Sequence, residues 1–253
     1  MPREIRSQRV EAIVLKHSDF GEADRMLTLF TREQGKLRAL AKGARKPRSR
    51  KAGHIEPFSQ VRLQLAKGRN FHIVSQAEAV SSHSALSEDL VRLGYASYVV
   101  ELLDKFSVDE DENRALYRLL RDTLKRLEDD DLAQVAVRYY EIRMLDLLGF
   151  RPELHECLNC QREIQPEDQY FSAQRGGVLC PGCGPQDASA QPISMRALKY
   201  LRHFQRSTFA EARRAQIDEA LRFELETLMD HYLTYLLERG LNSPRFLRRV
   251  RRS

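Results

Sequence analysis

The spacing of hydrophobic positions changes once along this chain, near residue 85. Before that point, short runs rich in Val, Ile, Leu, Thr and Phe alternate with turn residues. They predict strands over Val10–His17, Arg25–Thr31, Leu37–Lys42, Phe58–Ala66 and Asn70–Val80. Breaks fall at Asp19-Phe20-Gly21, Gln34-Gly35, Gly43 to Pro57, and Lys67-Gly68. Five short strands with hardly a helical stripe between them fit a small barrel, and a five-stranded oligonucleotide-binding (OB) barrel is the natural candidate. An SH3-like barrel satisfies the same pattern.

Alternation sorts these residues onto faces, because successive side chains point to opposite sides of a strand. Leu37, Ala39 and Ala41 share one face of the third strand, and Lys36, Arg38 and Lys42 the other, with Leu40 among them. In the fourth, Ser59, Val61, Leu63 and Leu65 point one way and Phe58, Gln60, Arg62 and Gln64 the other. The expected outer face is thus basic and carries one aromatic ring, a combination suited to single-stranded nucleic acid.

After residue 85 the period is helical. Leu86, Leu90, Leu93, Val100 and Leu103 mark one helix, and Leu116, Leu120, Leu124 and Leu127 a second. A third carries Leu132, Val135, Tyr139, Ile142, Leu145 and Leu148, stopped by Gly149 and Pro152. A shorter one runs from Ser194 to about Phe204. The last, from about Ala215 to Arg239, carries Ile217, Leu221, Leu225, Leu228, Tyr232 and Leu236 and is closed by Gly240. The predicted class is α+β and multidomain, a five-stranded OB-fold barrel followed by an α-helical bundle with an inserted zinc finger. The division is 1–80 barrel, 81–152 first helical part, 153–188 cysteine module, and 189–253 second helical part with an arginine-rich tail.

The cysteine module holds all four cysteines as two C-x-x-C pairs, Cys157/Cys160 and Cys180/Cys183. Each pair can reach one ion from a tight turn, and two such turns supply four thiolates in tetrahedral array. With four protein ligands no position stays open for water, so one zinc ion here is expected to be structural. Two disulfides, a redox pair and an ion-free site are the alternatives. The first needs an oxidising compartment and the second a βαβ setting. Gly182 and Gly184 are expected to supply the special backbone angles of the second turn, and Gly176-Gly177 a hairpin turn. His155 is a possible replacement ligand.

Composition alters this picture mainly through where the charge lies. The chain has 253 residues, with 42 Lys+Arg and 36 Asp+Glu, a formal +6. Residues 1–80 carry 17 basic and 8 acidic groups, whereas 81–244 carry 20 and 28. The tail adds Arg245, Arg248, Arg249, Arg251 and Arg252 without an acid. Such asymmetry implies one basic face for a polyanion and an acidic body for something else. The longest uncharged stretch, Gly176 to Gln186, is rich in Gly, Pro and Cys; a spanning helix is not expected. The charged MPREIRSQRV start is not expected to be an export signal. P-loop, dinucleotide, nucleophile-elbow and H-E-x-x-H motifs are lacking. Asp109-Glu110-Asp111-Glu112 and Glu128-Asp129-Asp130-Asp131 are read as helix-start signals. No catalytic residue is expected, and the chain is expected not to be an enzyme.

The order of these motifs resembles the bacterial RecO family of recombination mediators. The resemblance rests on Gly21-Glu22-Ala23-Asp24-Arg25, Thr31, Gly35-Lys36-Leu37, Ala41-Lys42-Gly43-Ala44-Arg45-Lys46, Ser49-Arg50 and Pro57-Phe58. It continues through Tyr140-Glu141, Leu147-Leu148-Gly149-Phe150-Arg151-Pro152, Gly176-Gly177, Tyr235-Leu236 and Ser243-Pro244-Arg245-Phe246-Leu247. It implies an OB fold, a helical domain and an embedded zinc finger. It also implies binding of single- and double-stranded DNA, annealing of complementary strands, and action with RecR to help RecA replace single-strand-binding protein. A cytoplasmic, nucleoid-associated location follows, with no membrane partner. The residues expected to contact DNA are Lys36, Arg38, Lys42, Arg45, Lys46, Arg48, Arg50, Lys51 and Arg62, with Phe58 stacking on a base. The Gly43–Gly53 stretch is expected to be mobile without DNA. The arginine tail is a candidate contact for DNA or for the acidic tail of single-strand-binding protein. The rival reading is a zinc-bearing RNA-binding or transcription-associated factor using the same basic barrel.

Overall fold

The computed structural model describes residues 7–129 and 133–237. Leu132, Asp130, Asp131, Gly240 and the arginine tail lie outside the described residues. Two compact units divide at Glu128/Asp129.

The first unit is built on a closed barrel of β1 (Ser7–Phe20), β2 (Asp24–Thr31), β3 (Gly35–Ala41), β4 (Gln60–Lys67) and β5 (His72–Ser81), in the order β1-β2-β3-β5-β4. All ladders are antiparallel except β3–β5, which is parallel and joins only Ala39↔His72 and Leu40↔Ile73. This is the expected OB-like order. The inward residues also follow the alternation: Val10, Ala12, Leu27, Leu29, Leu37, Ala39, Ala41, Val61, Leu63, Leu65 and Val74 form one core. Burying each Leu or Val of this set contributes about 1.5–3 kcal/mol.

β1 serves two ladders. Ser7–Ile13 pair with β4 and Ala12–Phe20 with β2, with a register shift between Val14 and Lys16 where Leu15 is the extra residue. A bulge of this kind bends the strand around the barrel. Ile13 and Leu15 are also buried, although they lie on the opposite side of the strand from Ala12 and Val14, and α2 (Leu90–Phe106) packs on β1.

Thus α1 (Ala85–Glu88), α2 and α3 (Arg114–Arg126) belong to the barrel's unit. The 80/81 boundary marks the end of the barrel strands, but the compact unit extends to Glu128. The first helical stripe is also interrupted. Asp89 caps α2 by accepting from Val91 N and Arg92 N at 2.8 Å, and Leu90, expected in the core, is 61% exposed. Asn113, not the acidic run before it, caps α3 by accepting from Leu116 N. That run lies against the barrel instead: Glu110 N donates to Lys36 O at 2.7 Å. Gly35, at φ +65, has no room for a Cβ, which would sit 1.8 Å from the Asp111 carbonyl oxygen. Glu128 follows α3, 3.3 Å from the buried His83 ring.

The second unit surrounds α4 (Ala133–Leu147), which buries Ala136, Val137, Tyr139, Tyr140, Ile142, Met144 and Leu145. A helix apolar on most sides is a central one. Its buried Glu141 is compensated by Arg138 at 2.9 Å, one turn away. Around it pack α5 (Met195–Arg206), the short α6 (Phe209–Ala212) and α7 (Glu219–Leu237). Leu221, Leu225, Leu228 and Tyr232 of the expected stripe are buried in α7, while Ile217 precedes the helix. Between α4 and α5 stands a small sheet, β7-β6-β8, made of Gln169–Ser172, Gly177–Leu179 and Ala190–Ile193 for β6, β7 and β8. No helix among the described residues is long and apolar enough to cross a membrane.

Candidate nucleic-acid interface and metal centre

The expected cations separate into free and engaged groups. Arg38, Lys42, Lys46, Arg48 and Arg50 are exposed, with no ion pair among the described residues. Arg45 is exposed but bonds back, to Asp19 at 3.3 Å and toward the carbonyls of Gly21 and Glu22. Arg62 lies 3.6 Å from Glu78, which also faces Arg9 at 3.8 Å. Lys51 is half-buried and donates to Val74 O at 3.1 Å, tying its loop to β5.

Two of the expected residues are enclosed by their surroundings. The Lys36 side chain is only 13% exposed, lies within 3.7 Å of Asp104 and 3.4 Å of Asp109, and donates to Asp104 O. Its charge therefore faces the acidic segment. Phe58 is buried, 7% exposed, at φ +71 just before β4. Its N–H donates to Val14 O. The left-handed residue breaks the alternation that had placed its ring outside, and no ring face remains for a base.

The Gly43–Gly53 stretch is tied to the barrel near both of its ends, the second through Lys51. Gly43 N donates to Asp24 Oδ1 at 2.7 Å, and Arg45 N to Ala23 O at 2.9 Å. Ala44, and Ile55 just beyond the stretch, enter the barrel core. At the far end Arg25 and His17 bind Glu56 at 2.8 and 3.2 Å. Burial pulls the Glu56 carboxyl upward, but Arg25 and His17 outweigh it and hold it below the usual range. The loop carries Lys46, Arg48 and Arg50 between these ties.

Two grooves border these cations. One, of about 620 Å³, is lined by Arg9, Arg50, Lys51, Arg62, Gln64 and Gln76, with Glu78 at its edge. The other, of about 490 Å³, lies at the β4–β5 turn, where Arg38, Lys67, Arg69, Phe71 and His72 face Asp109 and Glu110. Arg9, Lys67, Arg69 and Phe71 line these grooves but were not among the residues singled out from sequence. Phe71 was read as a strand residue, and the only available signal was a ring flanked by two cations and a glycine.

The cysteines converge as their spacing predicts. The four Sγ atoms lie within 4.8 Å of one another and could hold a metal ion. Each pair is a hydrogen-bonded turn, with Gln161 N donating to Cys157 O and Cys183 N to Cys180 O. Cys180 N and the Asn159 amide donate to the sulfurs of Cys157 and Cys183 at 3.3 Å. Burial raises the Cys157 thiol, but the N–H groups of Cys160, Cys180 and Asn159 prevail and lower it to about 6. The thiolate, the metal-binding form, is thereby favoured near neutrality. His155 is exposed and outside the cluster.

The glycines act differently from expectation. The left-handed residue beside the first pair is Gln161, at φ +58, while neither Gly182 nor Gly184 has a positive φ. Gly184 is needed for contact, since a Cβ would come within 2.2 Å of the Tyr170 ring. Gly176, at φ +76, does form the turn into β7.

Comparison with known proteins agrees with both halves. A family model described as Recombination protein O N terminal matches residues 5–83, and one described as Recombination protein O C terminal matches residues 87–245. A DNA repair protein RecO from Roseiflexus sp. (strain RS-1) is 42% identical over 246 residues, spanning 97% of this chain and 87% of that protein. Its counterpart from Desulforudis audaxviator (strain MP104C) is 38% identical over 97% of this chain and 98% of its own. That from Pelotomaculum thermopropionicum is 36% identical over 95% and 93%.

Proposed function

This chain belongs to the recombination protein O family, and from that premise we propose that it mediates recombinational DNA repair by binding single- and double-stranded DNA on its barrel. The observation that supports this most is the row of exposed cations Lys42, Lys46, Arg48 and Arg50 on a loop hydrogen-bonded to the barrel. Such groups neutralise phosphates and release counterions. They position a strand without reading its sequence, so binding is largely sequence-independent. Held close on one cationic surface, two complementary strands repel less, and annealing follows. The protein then works with RecR to let RecA replace single-strand-binding protein, without catalytic turnover, in the cytoplasm at the nucleoid.

The ion at the cysteines is zinc in this reading. Zinc–sulfur bonds of about 2.3 Å in tetrahedral array place sulfurs about 3.8 Å apart. The Cys160 and Cys180 sulfurs are 3.8 Å apart. All four positions are protein ligands, so the ion fastens the fold and activates no water.

Arg48→Glu with Arg50→Glu is expected to lower duplex affinity and reduce the slope of log affinity against log salt by about two. An unchanged slope removes the loop from the interface. Annealing of strands coated with single-strand-binding protein separates a mediator from a plain binder, and preference for RNA over DNA in competition would favour the RNA-binding rival.

A further inference from the structure

The two grooves on the barrel differ in chemistry and share no lining residue. The first spans the rungs Arg62↔Glu78 and Gln64↔Gln76, and the second lies at the Lys67↔His72 rung. Five residues of strand separate Arg62 from Lys67, on the order of 17 Å at the usual rise. The first groove has no aromatic residue in its lining. It offers exposed Arg50 and the amides of Gln64 and Gln76 for phosphates, with Arg9 and Arg62 flanking its single carboxylate, Glu78.

The second groove adds a ring. Phe71 is 37% exposed, between Arg69 and His72, with Lys67 and Arg38 on the same groove. Its position is built in. A Cβ on Gly68 would meet Phe71 O at 2.2 Å, so the turn closes tightly and fixes the ring's backbone. His72 Nδ1, beside it, is buried with no hydrogen-bond partner. The facing wall is acidic, with Asp109 and Glu110, and Glu110 is anchored through its N–H to Lys36 O. A duplex would bring a second line of phosphates toward those carboxylates. A single strand has one phosphate line, which can lie along Lys67, Arg69 and Arg38 while a base covers the ring.

Resting on the DNA-binding reading above, we propose that the β4–β5 groove is a separate site for an unpaired strand, with one base stacked on Phe71. The groove of Arg9, Arg50, Lys51 and Arg62 takes the phosphates of a second strand or of a duplex. One barrel then holds both participants in annealing, single strand at the turn and partner strand on the sheet face.

The chain has no tryptophan, so Phe71→Trp in the full chain creates a sole indole. Titration with a 20-nucleotide oligothymidylate is expected to quench its emission in step with binding followed by anisotropy of labelled DNA. A 20-base-pair duplex is expected to bind without quenching. Phe71→Ala should lower single-strand affinity about 5-fold or more, the range for one lost stack, and leave duplex affinity within about 2-fold. Arg50→Glu with Arg62→Glu should do the reverse. Phe223→Trp, at an exposed ring in α7 of the second unit, serves as the control and should respond to neither. If both DNAs bind but quench equally or not at all, or if Phe71→Ala weakens both alike, the separate site is overturned and DNA binding by the barrel stands. If neither DNA binds wild-type protein, both readings fall together.

Discussion

Replacing Cys180 and Cys183 together by serine is expected to abolish zinc binding and unfold the module between Pro152 and Ile193. Isolated structural zinc sites gain about 10–16 kcal/mol from the ion, comparable with the whole stability of a domain, about 5–15 kcal/mol. Leu154, Ile164, Phe171, Val178 and Leu179 are buried here, but β6 and β7 are only four and three residues long. Sheets that short rarely stand alone. A loss on the order of 5 kcal/mol is therefore expected. It should appear as zinc loss by metal analysis and early proteolysis within the module. The barrel unit carries its own core and should keep its DNA affinity. A variant lacking all four thiols, with an unchanged melting midpoint and full annealing, would refute the zinc staple.

Gly35→Ala is expected to cost about 3 kcal/mol. Roughly 1–2 kcal/mol comes from an L side chain in left-handed backbone, and about 1–3 kcal/mol from overlap that the backbone must relieve. The overlap is with the Asp111 carbonyl, so the relief is outward movement of the acidic segment, away from Lys36. Gly21→Ala is the matched comparison, since Gly21 has φ +57 but open space around a Cβ. It should lose only about 1–2 kcal/mol. Urea unfolding of the two variants tests this pair. Equal losses would show that close approach at Gly35 contributes nothing.

The third and fourth strands were legible because each has one dry face, so Leu37, Ala39 and Ala41 or Val61, Leu63 and Leu65 announce themselves by period. The cysteines were legible because metal geometry acts over two-residue spacings. Phe58 was not, because a single left-handed residue resets the alternation and leaves no trace in hydrophobicity. Leu90 was misplaced because periodicity ignores the cap at Asp89 that starts a new helix beside it. A stripe also states that a face is covered without naming the cover; Leu103 could not reveal that α2 belongs with the barrel. Charge carried the same ambiguity. Lys36 and Arg38 look alike in sequence, yet the fold encloses the first against Asp104 and Asp109 and leaves the second exposed.

The double use of β1 has a consequence during synthesis. Its C-terminal half can pair with β2 as soon as Thr31 has emerged, but Ser7 waits for Ala66. At ribosomal rates of about 5–20 residues per second, that gap of some thirty-five residues lasts roughly 2–7 s. Throughout it the nascent hairpin offers the open edge from Ser7 to Ile13, including Val10, Ala12 and Ile13, to any neighbouring strand. Arg9, exposed on that edge, is where a polar-to-apolar change would first show itself as poor yield, before any defect in the finished barrel.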